Sequence, residues 1–316
     1  MSIQVIRCKD RSEWLKGREG GIGSSEVATI MGVNPYETPY QLWRRKKGLD
    51  GPKEENFFMR AGHYLENAVA CFYADETGVE IIKRSAEDFL IVNDSRDYLR
   101  VSPDRTFWLP NMAHSNDNKG ILECKTTQMS IDADSIPQSW FCQLQYQLGT
   151  AEMNQGALAW LTQGREFGYQ NYDFDPDFFA FMLEECDRFW TDYIIGDAEP
   201  ESASVEDIML RSPRSAAGKS LEATEDISDL VVKLLEAKDA ESKASELVDE
   251  LTEKLKLFMG DAESLTYRGI TLATWKSSKD STKFDSTKYA ADHPELVKSY
   301  MKTAPGQRRF LLKTKK

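Results

Sequence analysis

No run in this 316-residue chain approaches the roughly 20 apolar residues of a membrane-spanning helix, so a membrane-spanning helix is excluded. The first residues, MSIQVIRCKDRSEWLKG, lack an apolar core ahead of a small-residue cleavage site, and no secretory leader is expected. Cysteine is sparse and odd in number: five, at positions 8, 71, 124, 142 and 186, with no C-x-x-C pair. That pattern excludes a zinc ribbon, an iron–sulfur cluster or a disulfide framework, and it fits a reduced, cytosolic chain. The three histidines, at 63, 114 and 293, stand alone and make no metal site.

Hydrophobic residues are 41% of the chain and charged residues 29%, as in a soluble globular protein large enough for one big domain or two ordinary ones. The net charge of −12 is unevenly spread. Residues 1–200 hold 32 acidic and 20 basic residues, 201–264 hold 16 and 8, and 265–316 hold 4 and 12. The last segment therefore carries 12 − 4 = +8 on an otherwise acidic molecule. Such a face can bind phosphate, or it can simply balance the acidic segment before it.

Glycines 20, 21 and 23 followed by Ser24-Ser25-Glu26 and an apolar-periodic run predict a loop opening a short helix that Gly32 ends. With Arg18 nearby, that loop is either an ordinary capped surface turn or a phosphate seat. Thr38-Pro39 begins a helix to Lys47, stopped by Gly48. Residues 54–77 predict a longer helix closed by Gly78, with Glu66 beside its apolar stripe. Strands are expected at Val79–Lys83, Phe89–Val92, Tyr98–Val101, Thr106–Trp108 and Gly120–Thr127. A helix over Pro137–Ala151 carries Gln143 and Gln147 beside an apolar ridge. A hairpin turns at Gly164, and an aromatic-rich helix from Pro176 to about Ile195 closes the first domain. The expected fold class is thus α/β (α+β), a central mixed sheet flanked by helices. Residues 1–196 form its main domain and 197–220 a linker rich in Ser, Pro, Ala and Gly. Residues 221–316 are expected as a small α/β module: a heptad-patterned helix over about 225–259, strands at Ser264–Lys276 and Arg309–Lys313, and a helix near Pro294–Lys302.

The chemistry gathers at Ser102-Pro103-Asp104 and Leu122-Glu123-Cys124-Lys125, two extended runs whose carboxylates are nineteen positions apart. Strand periodicity puts Glu123 and Lys125 on one face and Leu122 and Cys124 on the other. Asp104 and Glu123 are hard oxygen donors suited to Mg²⁺ or Mn²⁺, with the backbone carbonyl of Cys124 between them as a further ligand. Lys125 would stand as a point charge by an attacking water, and Glu66 and Gln143 would complete the outer shell. Together these describe metal-assisted phosphodiester hydrolysis.

The ordered set Trp14-x3-Arg18, Gly21-Ile22-Gly23-Ser24-Ser25-Glu26, Gly62-His63-Tyr64-Leu65-Glu66-Asn67, Ser102-Pro103-Asp104, Leu122-Glu123-Cys124-Lys125 and Gln143-Leu144-Gln145-Tyr146 resembles the YqaJ-type viral recombinase and lambda exonuclease family, within the PD-(D/E)xK nucleases. The likeness covers about residues 10–195. It implies a restriction-endonuclease-like core and a Mg²⁺-dependent 5′→3′ exonuclease on double-stranded DNA ends. It further implies 3′ tails handed to a single-strand annealing protein, and a ring-shaped homo-oligomer, a trimer favoured. By position it makes Asp104 and Glu123 metal ligands, Lys125 the catalytic lysine, Glu66 the helical acid (through water at the metal) and Gln143 the helical glutamine. Arg18, Ser25 and Ser102 become the pocket for a terminal 5′-phosphate. Three features depart from the family: Arg105 stands where glycine is usual, the Asp-to-Glu loop is longer, and residues 197–316 form an extension. A PD-(D/E)xK endonuclease of restriction or repair, and a non-catalytic recruitment protein, are the alternatives.

Overall fold

A computed structural model describes residues 3–313 except 52–55, 83–88, 116, 133–134 and 305. The chain divides into two compact units, residues 1–212 and 213–316.

The first unit opens with strand β1 (Ile3–Arg7), helix α1 (Arg11–Glu19), the two-residue strand β2 (Ile22–Gly23) and helices α2 (Ser24–Ile30) and α3 (Pro39–Lys46). Asp10 caps α1 and Thr38 caps α3, each accepting from a backbone N–H three residues on. Helix α4 (Phe57–Thr77) ends at Gly78, whose φ of 71° is the left-handed stop that glycine allows. The expected helical residues 54 and 55, and Lys83 of the expected strand, lie outside the described residues. Strands β3 (Ile81–Ile82), β4 (Phe89–Asn93), β5 (Leu99–Val101), β6 (Arg105–Trp108) and β7 (Lys119–Thr127) follow. Then come helix α5 (Gln138–Ala151), hairpin β8 (Gln155–Thr162) and β9 (Glu166–Asp173), and helix α6 (Pro176–Arg188), which continues as a π-helical stretch Phe189–Ile195.

Five of these strands make a mixed sheet in the order β3-β6-β7-β8-β9, with β7 and β8 parallel and the other pairs antiparallel. The parallel pair requires a crossover, which α5 supplies. The other four make a second sheet, β1-β4-β5-β2, that sequence patterning does not separate from the first. Burial explains the layering. On one face of β7 and β8, Ile121 and Leu158 pack with α2, α5 and α6 residues in the larger core. On the other, Leu122, Ala157, Ala159 and Leu161 pack against Val69, Ala70 and Tyr73 of α4. The five-stranded sheet thus lies between α4 and α5, and β7 is its middle strand.

Within the segment expected as linker, Val205–Arg211 forms helix α7. Its Asp207 is buried, accepts from the Thr38 hydroxyl at 2.8 Å, and lies near Arg211, whose guanidinium sits over Tyr40. The second unit holds helix α8 (Glu225–Met259), hairpin β10 (Ser264–Tyr267) and β11 (Ile270–Thr274), and short helices α9 (Ser286–Asp292) and α10 (Pro294–Tyr300). The heptad residues of α8 stay exposed, Leu230 at 60% and Val248 at 61%. The strand expected at Arg309–Lys313 is absent: that segment has no regular structure, and β10 and β11 pair only with each other.

Candidate active site

Strand β6 pairs with β7 from Arg105 opposite Leu122 onward. One step further along that register, Asp104 falls opposite Glu123, where the ladder has stopped. Its Oδ2 accepts from the Cys124 N–H at 2.9 Å, taking over a backbone donor that β6 no longer serves. In a strand the N–H and C=O of one residue point the same way, so the Cys124 carbonyl is aimed at this same gap.

Glu123 and Lys125 share the face of β7 that meets α5. The Lys125 ammonium lies 2.7 Å from Glu123 Oε1 and 2.7 Å from Gln143 Oε1, while Gln143 Nε2 donates to Glu123 Oε1 at 2.5 Å. The other oxygen of Glu123 accepts from Gln147 Nε2 at 2.8 Å, and that same nitrogen is 3.2 Å from the Ser24 hydroxyl. Glu123 is 3% exposed, so these donors are what make its buried charge tolerable. Glu66 arrives from the opposite layer on α4 and is joined by an ion pair to Arg105, which also donates to the Asp104 carbonyl at 2.6 Å. The site therefore straddles the sheet where β6 leaves β7, with groups from both helical layers.

Three carboxylates so placed repel one another. The Asp104 carboxyl is held well above the usual carboxylate range, first by burial and then by the charges of Glu123 and Glu66. Lys125 and the Cys124 N–H pull the other way and do not overcome it. A cluster of hard oxygens with this excess of negative charge suits a divalent cation. Among the described residues no three His, Cys, Asp or Glu side chains converge as metal ligands do. Each carboxylate is instead turned onto a protein partner.

The Arg18–Ser25 pair is also brought together. Arg18 Nη2 donates to Ser25 Oγ at 3.0 Å, and its guanidinium lies 4.8 Å from the centre of the Trp14 ring. Burial lowers the pKa of Arg18. Two glycines make room. A Cβ on Gly21 would meet the Tyr98 carbonyl at 2.4 Å, and one on Gly23 would meet the Arg18 guanidinium at 3.1 Å. Beneath them Glu26 Oε2 accepts from Gly23 N–H at 2.8 Å and from Lys46 at 2.8 Å, with Arg45 at 3.0 Å on Oε1. Ser102 lies directly past the end of β5, the strand that neighbours β2.

Sequence reasoning misses Ser24, Glu26 and Gln147 as site residues, and notes Arg105 only as a departure. The four-residue spacing of Gln143 and Gln147 on α5 is the signal that finds Gln147, since it sets both amides on one helix face.

Residues 13–154 match the family model of the YqaJ-like viral recombinase domain. The chain is 26% identical over 306 residues to the uncharacterized protein YqaJ of Bacillus subtilis (strain 168), across 92% of this chain and 91% of that one. It is 25% identical over 158 residues to the uncharacterized protein R354 of Acanthamoeba polyphaga mimivirus, across 45% of this chain and 27% of that protein. Among solved structures, an alkaline exonuclease from Laribacter hongkongensis superposes with a TM-score of 0.45 at 17% identity, over 63% of this chain and 96% of that one.

Proposed function

From a chain whose residues 13–154 match the YqaJ-like viral recombinase domain, and whose clustered acids and lysine lie inside that stretch, we propose a metal-dependent deoxyribonuclease that digests duplex DNA from its ends. The observation that carries this reading is the meeting of Asp104, Glu123 and Lys125 at the edge of β7, with Glu66 across the sheet. The finer reading follows the family resemblance. It is a Mg²⁺-dependent 5′→3′ exonuclease, with Mn²⁺ as substitute, that leaves 3′ single-stranded tails for an annealing protein and works as a homo-oligomeric ring.

Asp104, Glu123 and the Cys124 carbonyl would hold the cation, with Glu66 reaching it through water. The bound ion would polarise the scissile phosphate and lower the pKa of an attacking water. Lys125, held between Glu123 and Gln143, orients that water and offsets charge developing on the phosphoryl oxygens. Gln143 keeps the ammonium from collapsing wholly onto Glu123 by accepting a hydrogen bond from it. Arg18 and Ser25 would receive a terminal 5′-phosphate, Arg18 as a charged fork and Ser25 as a hydroxyl donor.

Digestion of end-labelled linear and closed circular duplexes, with and without Mg²⁺, tests the reading. An obligate end-dependent enzyme degrades only the linear form and only with the cation. Cutting of the circle would indicate an endonuclease instead. Replacing the terminal 5′-phosphate with hydroxyl is expected to slow digestion about tenfold or more, and Arg18→Gln is expected to abolish the difference between the two ends. Equal rates on both ends in the unaltered protein remove the pocket from the proposal.

Gln147→Leu keeps the volume of the side chain and deletes its bonds to Glu123 and Ser24. Mn²⁺ binding, read by calorimetry, is expected to weaken about tenfold to a hundredfold. An unchanged affinity would mean that Gln147 only fills space.

A further inference from the structure

The last segment of the second unit combines two features. From Leu265 to the C-terminus there are 12 basic and 4 acidic residues. Six aromatics lie in the same stretch, five to eleven positions apart. Five of them have a basic residue as immediate neighbour: Tyr267-Arg268, Trp275-Lys276, Lys283-Phe284, Lys288-Tyr289 and Arg309-Phe310. The sixth, Tyr300, has Lys298 and Lys302 two positions to either side.

These rings do not build a core. Between Ser264 and Lys313 no described residue is buried. Tyr267, Trp275, Phe284, Tyr300 and Phe310 are 47–80% exposed, and the described lysines and arginines of the segment are exposed with them. A merely charge-balancing tail needs the lysines and gains nothing from exposed rings. An apolar protein partner would use the rings and be ill served by an excess of +8. A duplex would use the cations, but its bases present no open faces to a ring. Single-stranded nucleic acid satisfies both at once: phosphates beside the cations, and unstacked bases lying on the rings.

We propose that residues 265–313 are a binding surface for single-stranded DNA. Under the nuclease reading such a strand is the enzyme's own product, and in that respect alone the proposal rests on it. The contacts are sequence-tolerant, because every base has a flat face, and salt-dependent, because each phosphate neutralised releases counterions.

The test uses the full-length protein in EDTA, so that no DNA is cut, and fluorescence anisotropy with an oligo(dT) of about 30 nucleotides, an oligo(U) and a duplex of the same length. A variant carrying Phe284→Leu, Tyr300→Leu and Phe310→Leu is expected to bind oligo(dT) about tenfold more weakly or worse, with duplex binding unchanged. A second variant carrying Lys279→Gln, Lys283→Gln, Lys302→Gln and Arg309→Gln is expected to flatten the salt dependence by about 0.7 for each charge removed. The proposal is overturned if the aromatic variant binds oligo(dT) within about twofold of the parent. It is likewise overturned if single strand and duplex weaken alike, or if the loss falls on oligo(U) rather than oligo(dT). A parent protein that binds oligo(dT) but never digests duplex sinks the nuclease reading and leaves this surface standing.

Discussion

Asp104→Asn is expected to cut Mg²⁺-dependent digestion of linear duplex by about 10²–10³-fold or more while leaving the fold intact. The amide oxygen of asparagine still accepts from the Cys124 N–H, so the geometry where β6 leaves β7 is kept and only the charge is lost. The sign of the stability change separates the two effects. Burial, with Glu123 and Glu66, raises the Asp104 pKa above its unfolded value, so the folded state binds the proton more tightly and loses stability as pH rises. Without a cation, holding that carboxylate ionised is therefore a cost, and the variant should melt no lower than the parent. With saturating Mn²⁺ the order should invert, since only the parent gains ligand stabilisation. Full activity of the variant, or melting curves indifferent to the ion in both proteins, would falsify the metal-ligand assignment. Lys125→Ala should lose activity as severely while keeping its ion-dependent melting shift, because it removes the point charge and leaves the donors.

The second large effect is on stability. Glu26→Gln should lower the stability of the first unit by about 3–5 kcal/mol, because it strands a buried ammonium. The Lys46 side chain is 4% exposed, and its partners are Glu26 at 2.8 Å and the Gly21 carbonyl at 2.5 Å. For a unit of about 200 residues that corresponds to a drop of about 10 °C in melting temperature. Burial by itself would raise the Glu26 pKa, but Lys46 and then Arg45 outweigh it and hold the carboxyl below its ordinary value. A depressed carboxylate stabilises the fold above its unfolded pKa, and the contribution fades as pH falls through the folded one. The difference between parent and variant should therefore be full at neutral pH and shrink in acid. Adding Lys46→Met should recover much of the loss by removing the stranded charge. If the double variant melts as low as the single one, the ion pair is not the source of the effect.

Much of this arrangement is legible in the sequence, for reasons that differ by element. Strand β7 sets Glu123 and Lys125 two apart behind Ile121 and Leu122, so its face assignment follows from the pleat alone. Helix α8 is legible because its heptad period, broken only at Glu241, runs through a 35-residue helix between Thr224 and Gly260. Asp104, Glu123, Lys125 and Gln143 do come together, and Arg18 does reach Ser25. The part that stays hidden depends on pairing across the chain. Strand β1 is mostly exposed and forms an edge, so it lacks the alternation that marks a half-buried strand. Strand β2 has two residues and exists only because Ile22 and Gly23 lie beside Leu99 and Arg100. The ion pair of Glu66 with Arg105 spans 39 positions and two layers, and nothing local announces it. Gln147 carries its meaning only once Ser24 and Glu123 stand on either side of it.

The parallel pairing of β7 with β8 has a further consequence for how the chain is made. During synthesis a chain emerges from its N-terminus, and a parallel pair closes only after the whole crossover has followed. Glu123 and Lys125 leave the ribosome well before Gln143 and Gln147, and β8 leaves later still. Until about residue 162 has emerged, the middle strand lacks one flank and its carboxylate lacks the amides that hold it. A nascent or truncated chain thus displays the acids without their setting. The setting that the proposed nuclease chemistry needs is withheld until the polypeptide is long enough to complete that sheet.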